Sequence, residues 1–256
     1  MSDPALFDVL VVGAGPGGLA AAAAAAESGA AVGLVDENSA PGGQIYRGIG
    51  GLLHPAVVKQ IDALTMKRVV VLSGTTVFDA PLAGIVDVFS AEGRKRLQYR
   101  NLILAVGARE LFVPFPGWTL PNVMGVGGLQ ALVKAGLNVE RKRIVVAGSG
   151  PLLIAVAAYL KDHGAKVILI AEQASTTSLS RFMLSLAKYP TKVAQGAGLM
   201  RSVGTLIKRS TWVVRADGNH QLESVKLNQS AGNIACDYLA CAYGFVPNLE
   251  LPMLLG

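Results

Sequence analysis

The apolar positions fall in short unbroken runs rather than in long alternating stretches. Val9–Val12 is followed at once by Gly13-Ala14-Gly15-Pro16-Gly17-Gly18. An alanine-rich segment then runs to Ser28 and stops at Gly29, and a second run, Ala31–Val35, ends on Asp36. Short apolar runs bounded by glycine read as strands buried on both faces, and the alanine segment between them reads as a helix, so the unit is strand, turn, helix, strand. The same pattern returns in Arg143–Glu172, which aligns on Asp8–Glu37 from end to end without gaps. Gly13 maps to Gly148, Gly15 to Gly150, Pro16 to Pro151 and Gly29 to Gly164. Between the copies, Val69–Asp79, Gly84–Ser90 and Arg96–Ala105 are separated by turns and predict a small antiparallel meander. A flexible hinge, Gly48–Gly51, and a short helix, His54–Met66, are expected before it. After it, Phe112–Pro121 holds three prolines and a tryptophan and reads as a linker, with a domain boundary near residue 115. Helices are expected at Ser178–Lys188 and Val193–Ile207, and strands at Thr211–Ala216, Gln221–Asn228 and Ile234–Ala242. The fold class is therefore α/β, with two Rossmann-like dinucleotide-binding units and a small antiparallel β-meander. The expected domains are 1–115, 116–248, and a tail, 249–256, that starts back towards the first.

The first unit carries every part of a dinucleotide site. Gly13 permits the tight turn off the strand, Gly15 lets a pyrophosphate approach the backbone, and Gly18 lets the helix pack close to the sheet. Ala14, Pro16 and Gly17 complete the loop whose free N–H groups, aided by the helix dipole, face the phosphates. Asp36, at the end of the second strand, is placed to accept hydrogen bonds from ribose hydroxyls, and Glu37 opens the loop that follows. That loop contains Gly42-Gly43, which lets backbone approach a flat ring, and Gln44 and Arg47, which carry polar groups towards it.

The second copy departs at two positions. Leu153 replaces Gly18 and is expected to push the helix from its sheet. Ala171 replaces Asp36, with Glu172 one residue later as a substitute. Gly148, Gly150 and Glu172 are the candidate ligand residues. No Arg or Lys occurs between Ala171 and Ser180, so a 2′-phosphate has no local partner and NADPH is the least favoured ligand. Two alternatives stay open: a weaker NAD-type or adenylate site, or a structural copy without a ligand.

Composition narrows the class. Hydrophobic residues make up 52% and charged residues 16% of 256, with a mean hydropathy of +0.46, which excludes disorder. The longest apolar stretch, Val9–Ala26, is broken by four glycines and a proline, so buried strands and a soluble cytoplasmic protein are expected rather than a transmembrane segment. The first residues, Met-Ser-Asp-Pro, lack the basic start of a signal peptide. Net charge is +6, but the basic triplets Arg94–Arg96 and Arg141–Arg143 sit at turns and lack aromatic interleaving, so no nucleic-acid partner is expected. The two cysteines, Cys236 and Cys241, are five apart on one expected strand and so face opposite ways, which argues against a redox disulfide. His54, His163 and His220 have no triad or metal partner at a recognisable spacing, so no metal site and no dedicated catalytic base is assigned.

Gly13–Gly18 with Asp36, Gly42-Gly43-Gln44, Ala105-Val106-Gly107 and Gly148–Pro151 resemble the two-dinucleotide-binding-domain flavoproteins, thioredoxin reductase among them. A narrower likeness comes from Gly42–Arg47, Gly107–Glu110, Pro116–Pro121, Gly148–Leu153, Cys236–Tyr238 and Tyr243–Asn248. These resemble the FAD-type subunit of heteromeric opine oxidases, hydrogen cyanide synthase and dye-linked proline or hydroxyproline dehydrogenases. The resemblance implies an FAD/NAD(P)-binding fold with FAD on the first unit and a nicotinamide nucleotide on the second. It implies partner subunits, an amine or amino-acid substrate, and membrane association, if any, through those partners. It implies that Gly13, Gly15 and Asp36 hold the FAD pyrophosphate and ribose, that Val77 meets adenine, that Gly43 and Gln44 lie near the flavin, and that Ala105, Val106 and Gly107 close over the cofactor. The chain departs in three ways: it has no Cys-x-x-Cys, no late Gly-Asp flavin motif, and no cysteine cluster for an iron–sulfur centre. The expectation is a fragment or a C-terminally shortened protein.

Overall fold

The structure, a computed structural model, describes residues 5–46, 55, 58, 61, 62, 64 and 69–256. Arg47 and the expected hinge lie outside the described residues, and the expected helix His54–Met66 lies largely outside them. The chain divides into one unit of Met1–Arg109 with Pro247–Gly256 and a second of Glu110–Val246.

In the first unit the elements run β1 (Ala5–Val12), α1 (Pro16–Glu27), β2 (Val32–Val35), α2 (Gly43–Tyr46), β3 (Val70–Leu72), β4 (Thr76–Leu82), β5 (Ile85–Ser90) and β6 (Gly93–Leu104). Then come β7 (Ala108–Glu110), β8 (Val123–Gly125), α3 (Val126–Lys134), β9 (Arg143–Gly148), α4 (Leu152–Asp162), β10 (Lys166–Glu172), α5 (Thr176–Leu186), α6 (Pro190–Val203), β11 (Ile207–Lys208), β12 (Val213–Asp217), β13 (Ser224–Leu227), β14 (Ile234–Ala235), β15 (Tyr238–Ala242), β16 (Phe245–Pro247) and α7 (Glu250–Leu255).

The first unit's sheet has the order β3-β2-β1-β6-β5-β4. The β3-β2-β1-β6 part is parallel, and β6-β5-β4 is the antiparallel meander. Two expectations change here. Val69–Asp79 is not one strand. A left-handed turn at Gly74 (φ 59°) splits it into β3, which joins the parallel sheet, and β4, which opens the meander. The third meander strand also does double duty, because β6 pairs with β5 on one edge and with β1 on the other. That shared strand delivers Ala105 beside the first glycine turn, where its amide donates to the Val12 carbonyl (2.8 Å).

Across the meander, Asp87 lies opposite Arg96 and its carboxylate is almost wholly buried. Arg96 Nε donates to Oδ1 (2.7 Å) and Arg94 Nη2 to Oδ2 (2.5 Å), and the two guanidiniums, against burial, hold the Asp87 carboxyl down at about 2. A carboxyl depressed in the folded state stabilises it above the unfolded value of 3.8, and that stability is lost as pH falls towards about 2. Asp87→Asn is therefore expected to unfold at lower urea than the wild type at neutral pH, with the gap closing between pH 3.8 and about 2. A gap independent of pH would show that the ion pair is not its source.

The second unit is built on a parallel sheet, β11-β10-β9-β15-β8, with a separate antiparallel sheet, β12-β13-β14. Its core includes the fully buried Ile144, Val146, Leu153, Leu160 and Ala240. The expected linker is not a free connection. Phe112, Phe115 and Leu120 pack against the buried Val145, Val225 and Leu239, and Gly117 (φ 84°) lies so close to Ala216 that a Cβ would come 2.0 Å from its carbonyl oxygen. The prolines that suggested a linker mark irregular backbone, while Phe112 and Phe115 pack over the buried cluster. Cys236 also departs from expectation: it precedes β15 rather than sharing a strand with Cys241, and both are free thiols buried in one cluster.

Candidate functional site

The first glycine turn is constructed by contact. Gly13 takes φ 101°, and a Cβ there would sit 2.2 Å from the Ala105 carbonyl oxygen; a Cβ on Gly18 would sit 1.7 Å from the Gly13 carbonyl oxygen. Glycine is therefore required where strand, helix and the end of β6 converge. At Gly15 and Gly17 an added Cβ would meet nothing within 4 Å, so the space above the loop is open. Gly15 is the N-cap of α1 and Pro16 takes its first turn, where no amide is needed for the helix. The first-turn amides of α1 have no intrahelical acceptors. A loop of this kind fits a pyrophosphate.

The segment after β2 folds back onto the turn. The Gly42 amide donates to the Ala14 carbonyl (2.7 Å), and Gly43, in the left-handed region at φ 57°, lies so near Gly15 that a Cβ would be 3.1 Å from its Cα. This brings Gly43 and the exposed Gln44 to the loop's side. On the other side, Ala105 packs against Gly13, and the chain turns at Gly107 (φ 70°). Asn248 clamps this turn: its Nδ2 donates to the Val106 carbonyl (2.8 Å) and its amide to the Gly107 carbonyl (3.2 Å). Arg109 in turn donates to Glu250 (2.5 Å) and to the Asn248 side chain (3.3 Å). Asn248 is a positioning residue that sequence reasoning did not assign, because its partners lie on the far side of the whole second unit in the chain.

The two acidic residues at the end of β2 do different things. Asp36 is buried, and both its oxygens are committed: Oδ2 accepts from the Ala14 amide, and Oδ1 from the Asn38 amide and side chain (2.8 Å each). Glu37 is exposed at the next position. The Asp36 carbonyl accepts from the Thr75 amide (2.9 Å), which places Val77, two positions on in β4, by the same strand end.

The second unit repeats this geometry with one shift. Val9 pairs with Val32 in the first unit, and their counterparts in the gapless alignment, Ile144 and Val167, pair in the second. A β-bulge between Val167 and Leu169 then takes up Ile168, so Ala147 pairs with Ala171 and Gly148 with Glu172. The acid that the gapless alignment placed out of register is thereby returned to the position of Asp36. Its contacts correspond: Glu172 accepts from Ser149 Oγ (2.9 Å), the Gly150 amide (3.0 Å) and the Ala174 amide (2.8 Å). The Thr211 amide donates to the Glu172 carbonyl (3.0 Å) as Thr75 does to Asp36. Leu153, the counterpart of Gly18, is fully buried in the core. The loops differ as well: Gly150 takes φ 99° and Pro151, not Gly150, caps α4.

No group of three or more His, Cys, Asp or Glu that could hold a metal occurs among the described residues. His163 Nδ1 lies 2.8 Å from the Tyr159 carbonyl and packs on the Tyr159 ring. Burial pushes both cysteine thiols up to about 12, so neither is a thiolate at neutral pH. Among the described residues no helix is long and apolar enough to cross a membrane.

Comparison with known proteins agrees with this architecture. The chain is 31% identical over 280 residues to the HcnB subunit of hydrogen cyanide synthase from Pseudomonas protegens, covering 96% of this chain and 58% of the relative. It is 30% identical over 281 residues to an opine oxidase subunit from Agrobacterium tumefaciens, covering 98% and 54%. The chain thus spans little more than half the length of the curated relatives it matches. Among solved structures, the thioredoxin reductase of T. acidophilum superposes with a TM-score of 0.68 at 17% identity, over 96% of this chain and 79% of that one, and so shares the FAD/NAD(P)-binding fold. The model of the pyridine nucleotide-disulphide oxidoreductase family matches residues 7–254, and the chain belongs to that family.

Proposed function

We propose that this chain is the FAD-holding subunit of a heteromeric dehydrogenase acting on an amine or amino acid. The observation that carries the reading is the first glycine turn, open above Gly15 and Gly17 and closed on both flanks by Gly43 and Ala105. In this reading the amides of Gly15, Gly17 and Gly18 hold the pyrophosphate, with Gly13, Ala14 and Pro16 shaping the turn, and Glu37 accepts from the ribose while Asp36 braces the loop. Val77 borders the adenine, Gly43 and Gln44 approach the flavin from one side, and Ala105, Val106 and Gly107 from the other. FAD, when bound, supplies the two-electron chemistry. The chain's own residues bind and orient it; none of the described residues is placed as a base.

The partner subunits and the substrate class follow the relatives, which are named as subunits of a hydrogen cyanide synthase and an opine oxidase. The second unit, through Gly148, Gly150 and the segment after β10, takes an NAD-type or adenine nucleotide. The test is anaerobic mixing of the FAD-loaded protein, in complex with its co-purifying subunits, with glycine, proline and opines. Loss of the oxidised-flavin band at about 450 nm is the expected result. A band untouched by all of these but lost with NADH would replace the amine reading by a reductase.

A second reading, a nucleotide-binding subunit without turnover, is favoured by one feature. The Gly150 amide, at the centre of the second glycine turn, is already taken by Glu172.

A further inference from the structure

Beyond the bulge in β10 the correspondence between the two units is shifted by one position: Asp36 corresponds to Glu172, Asn38 to Ala174, Gly74 to Ser210 and Thr75 to Thr211. The correspondence is in contacts as well as position. The Gly74 amide donates to the Asn38 carbonyl (2.8 Å) and the Ser210 amide to the Ala174 carbonyl (3.2 Å). Gly74 and Ser210 both take the left-handed conformation, at φ 59° and 52°. Val35 pairs with Leu72, and Ala171 with Lys208.

By the same correspondence Glu37 matches Gln173, which is likewise exposed. Glu172, 6% exposed, is surrounded by donors from Ser149, Gly150 and Ala174, so its charge is spent on the loop. The residue at the ribose position of the second unit is therefore neutral. Leu72 and Ser73 of the first unit correspond to Lys208 and Arg209 in the second, which puts two cations at the end of the strand next to β10. Arg209 is exposed, and its guanidinium has no partner among the described residues. It borders a hollow of about 490 Å³ along α5, where Thr176 and Ser180 stand beside the apolar Leu179, Met183 and Leu184, and a smaller one of about 250 Å³ shared with Lys208 and Gln229; Gln173 lines neither.

A carboxylate at the ribose position favours free hydroxyls and repels a 2′-phosphate, whereas a neutral residue with an adjacent Arg accepts it. We infer that Gln173 and Arg209 are the specificity-determining residues of the second unit, and that they favour an adenosine nucleotide carrying a 2′-phosphate. This rests on the reading of the second unit as a nucleotide site, and it reverses the ranking drawn from the linear sequence. The sequence window after Ala171 contained no cation because Lys208 and Arg209 belong to the end of the neighbouring strand, which only the pairing of Ala171 with Lys208 brings alongside.

The test is calorimetric titration of the protein with adenosine 2′,5′-bisphosphate and with 5′-AMP, which differ only in the 2′-phosphate, in the presence of excess FAD to fill the first unit. The bisphosphate is expected to bind about tenfold tighter, Arg209→Ala to abolish the difference, and Gln173→Glu to favour 5′-AMP. Equal or tighter binding of 5′-AMP by the wild type would overturn the specificity while leaving the nucleotide site intact. No binding of either compound would overturn both. The thermal midpoint of each variant, read alongside, separates a lost contact from a damaged fold.

Discussion

Alanine at Gly18 is expected to abolish retention of FAD and to destabilise the first unit by about 1–3 kcal/mol, the range for forcing extra volume into packed structure. Its Cβ would lie 1.7 Å from the Gly13 carbonyl oxygen and 3.3 Å from the Ala105 Cβ, so neither neighbour can yield without moving backbone. Relief requires α1 to lift from the sheet, and that carries its first-turn amides away from any pyrophosphate. Affinity for FAD should fall by about a hundredfold, about 2.8 kcal/mol. The matched change in the second unit has the opposite character. Leu153 fills core volume, so Leu153→Ala leaves a cavity and costs about 2–5 kcal/mol through lost packing. Urea unfolding of the two variants, with FAD retention through gel filtration, checks both. A Gly18→Ala protein that keeps flavin would mean that helix and sheet are not in the contact described.

The second large effect separates Asp36 from Glu37. Asp36→Ala leaves the Ala14 and Asn38 amides without their acceptor at a buried position, which costs about 1–3 kcal/mol. Its effect on FAD should track that loss of stability. Glu37→Gln changes an exposed side chain and should leave the thermal midpoint where it was while weakening FAD by about tenfold, as expected when a charged acceptor to ribose hydroxyls becomes a neutral one. Thermal melts and FAD titrations of the two variants test the division of labour. Equal loss of affinity in Glu37→Gln and Asp36→Ala at equal loss of stability would remove the distinction.

The glycine turns were readable from sequence because each glycine answers a local requirement that no other residue meets. Gly13 must adopt a positive φ, and Gly18 must lack a side chain. The alternation of runs and turns likewise gave the α/β class and the meander. The bulge at Ile168 left no trace in the sequence. Val167, Ile168, Leu169 and Ile170 form an unbroken apolar run, and such a run carries no phase from which a slip of one position is visible. That slip moved the second acid into register and left Gln173 at the position of Glu37. The split between β3 and β4 was hidden for a related reason: the residues on either side of Gly74 suit strands equally, and only their pairing partners differ. Asn248 and Arg209 act through chain segments that the fold alone brings together.

The first unit, as it stands in this chain, is expected to hold FAD. The most direct measurement is an absorption spectrum of the purified protein before and after incubation with FAD and gel filtration, with circular dichroism on the same sample. A resolved flavin band at about 450 nm that stays with the protein, and is lost in Gly18→Ala, is the predicted result. A folded protein that emerges colourless and takes up no FAD would mean that the first glycine turn is not a flavin site in this chain.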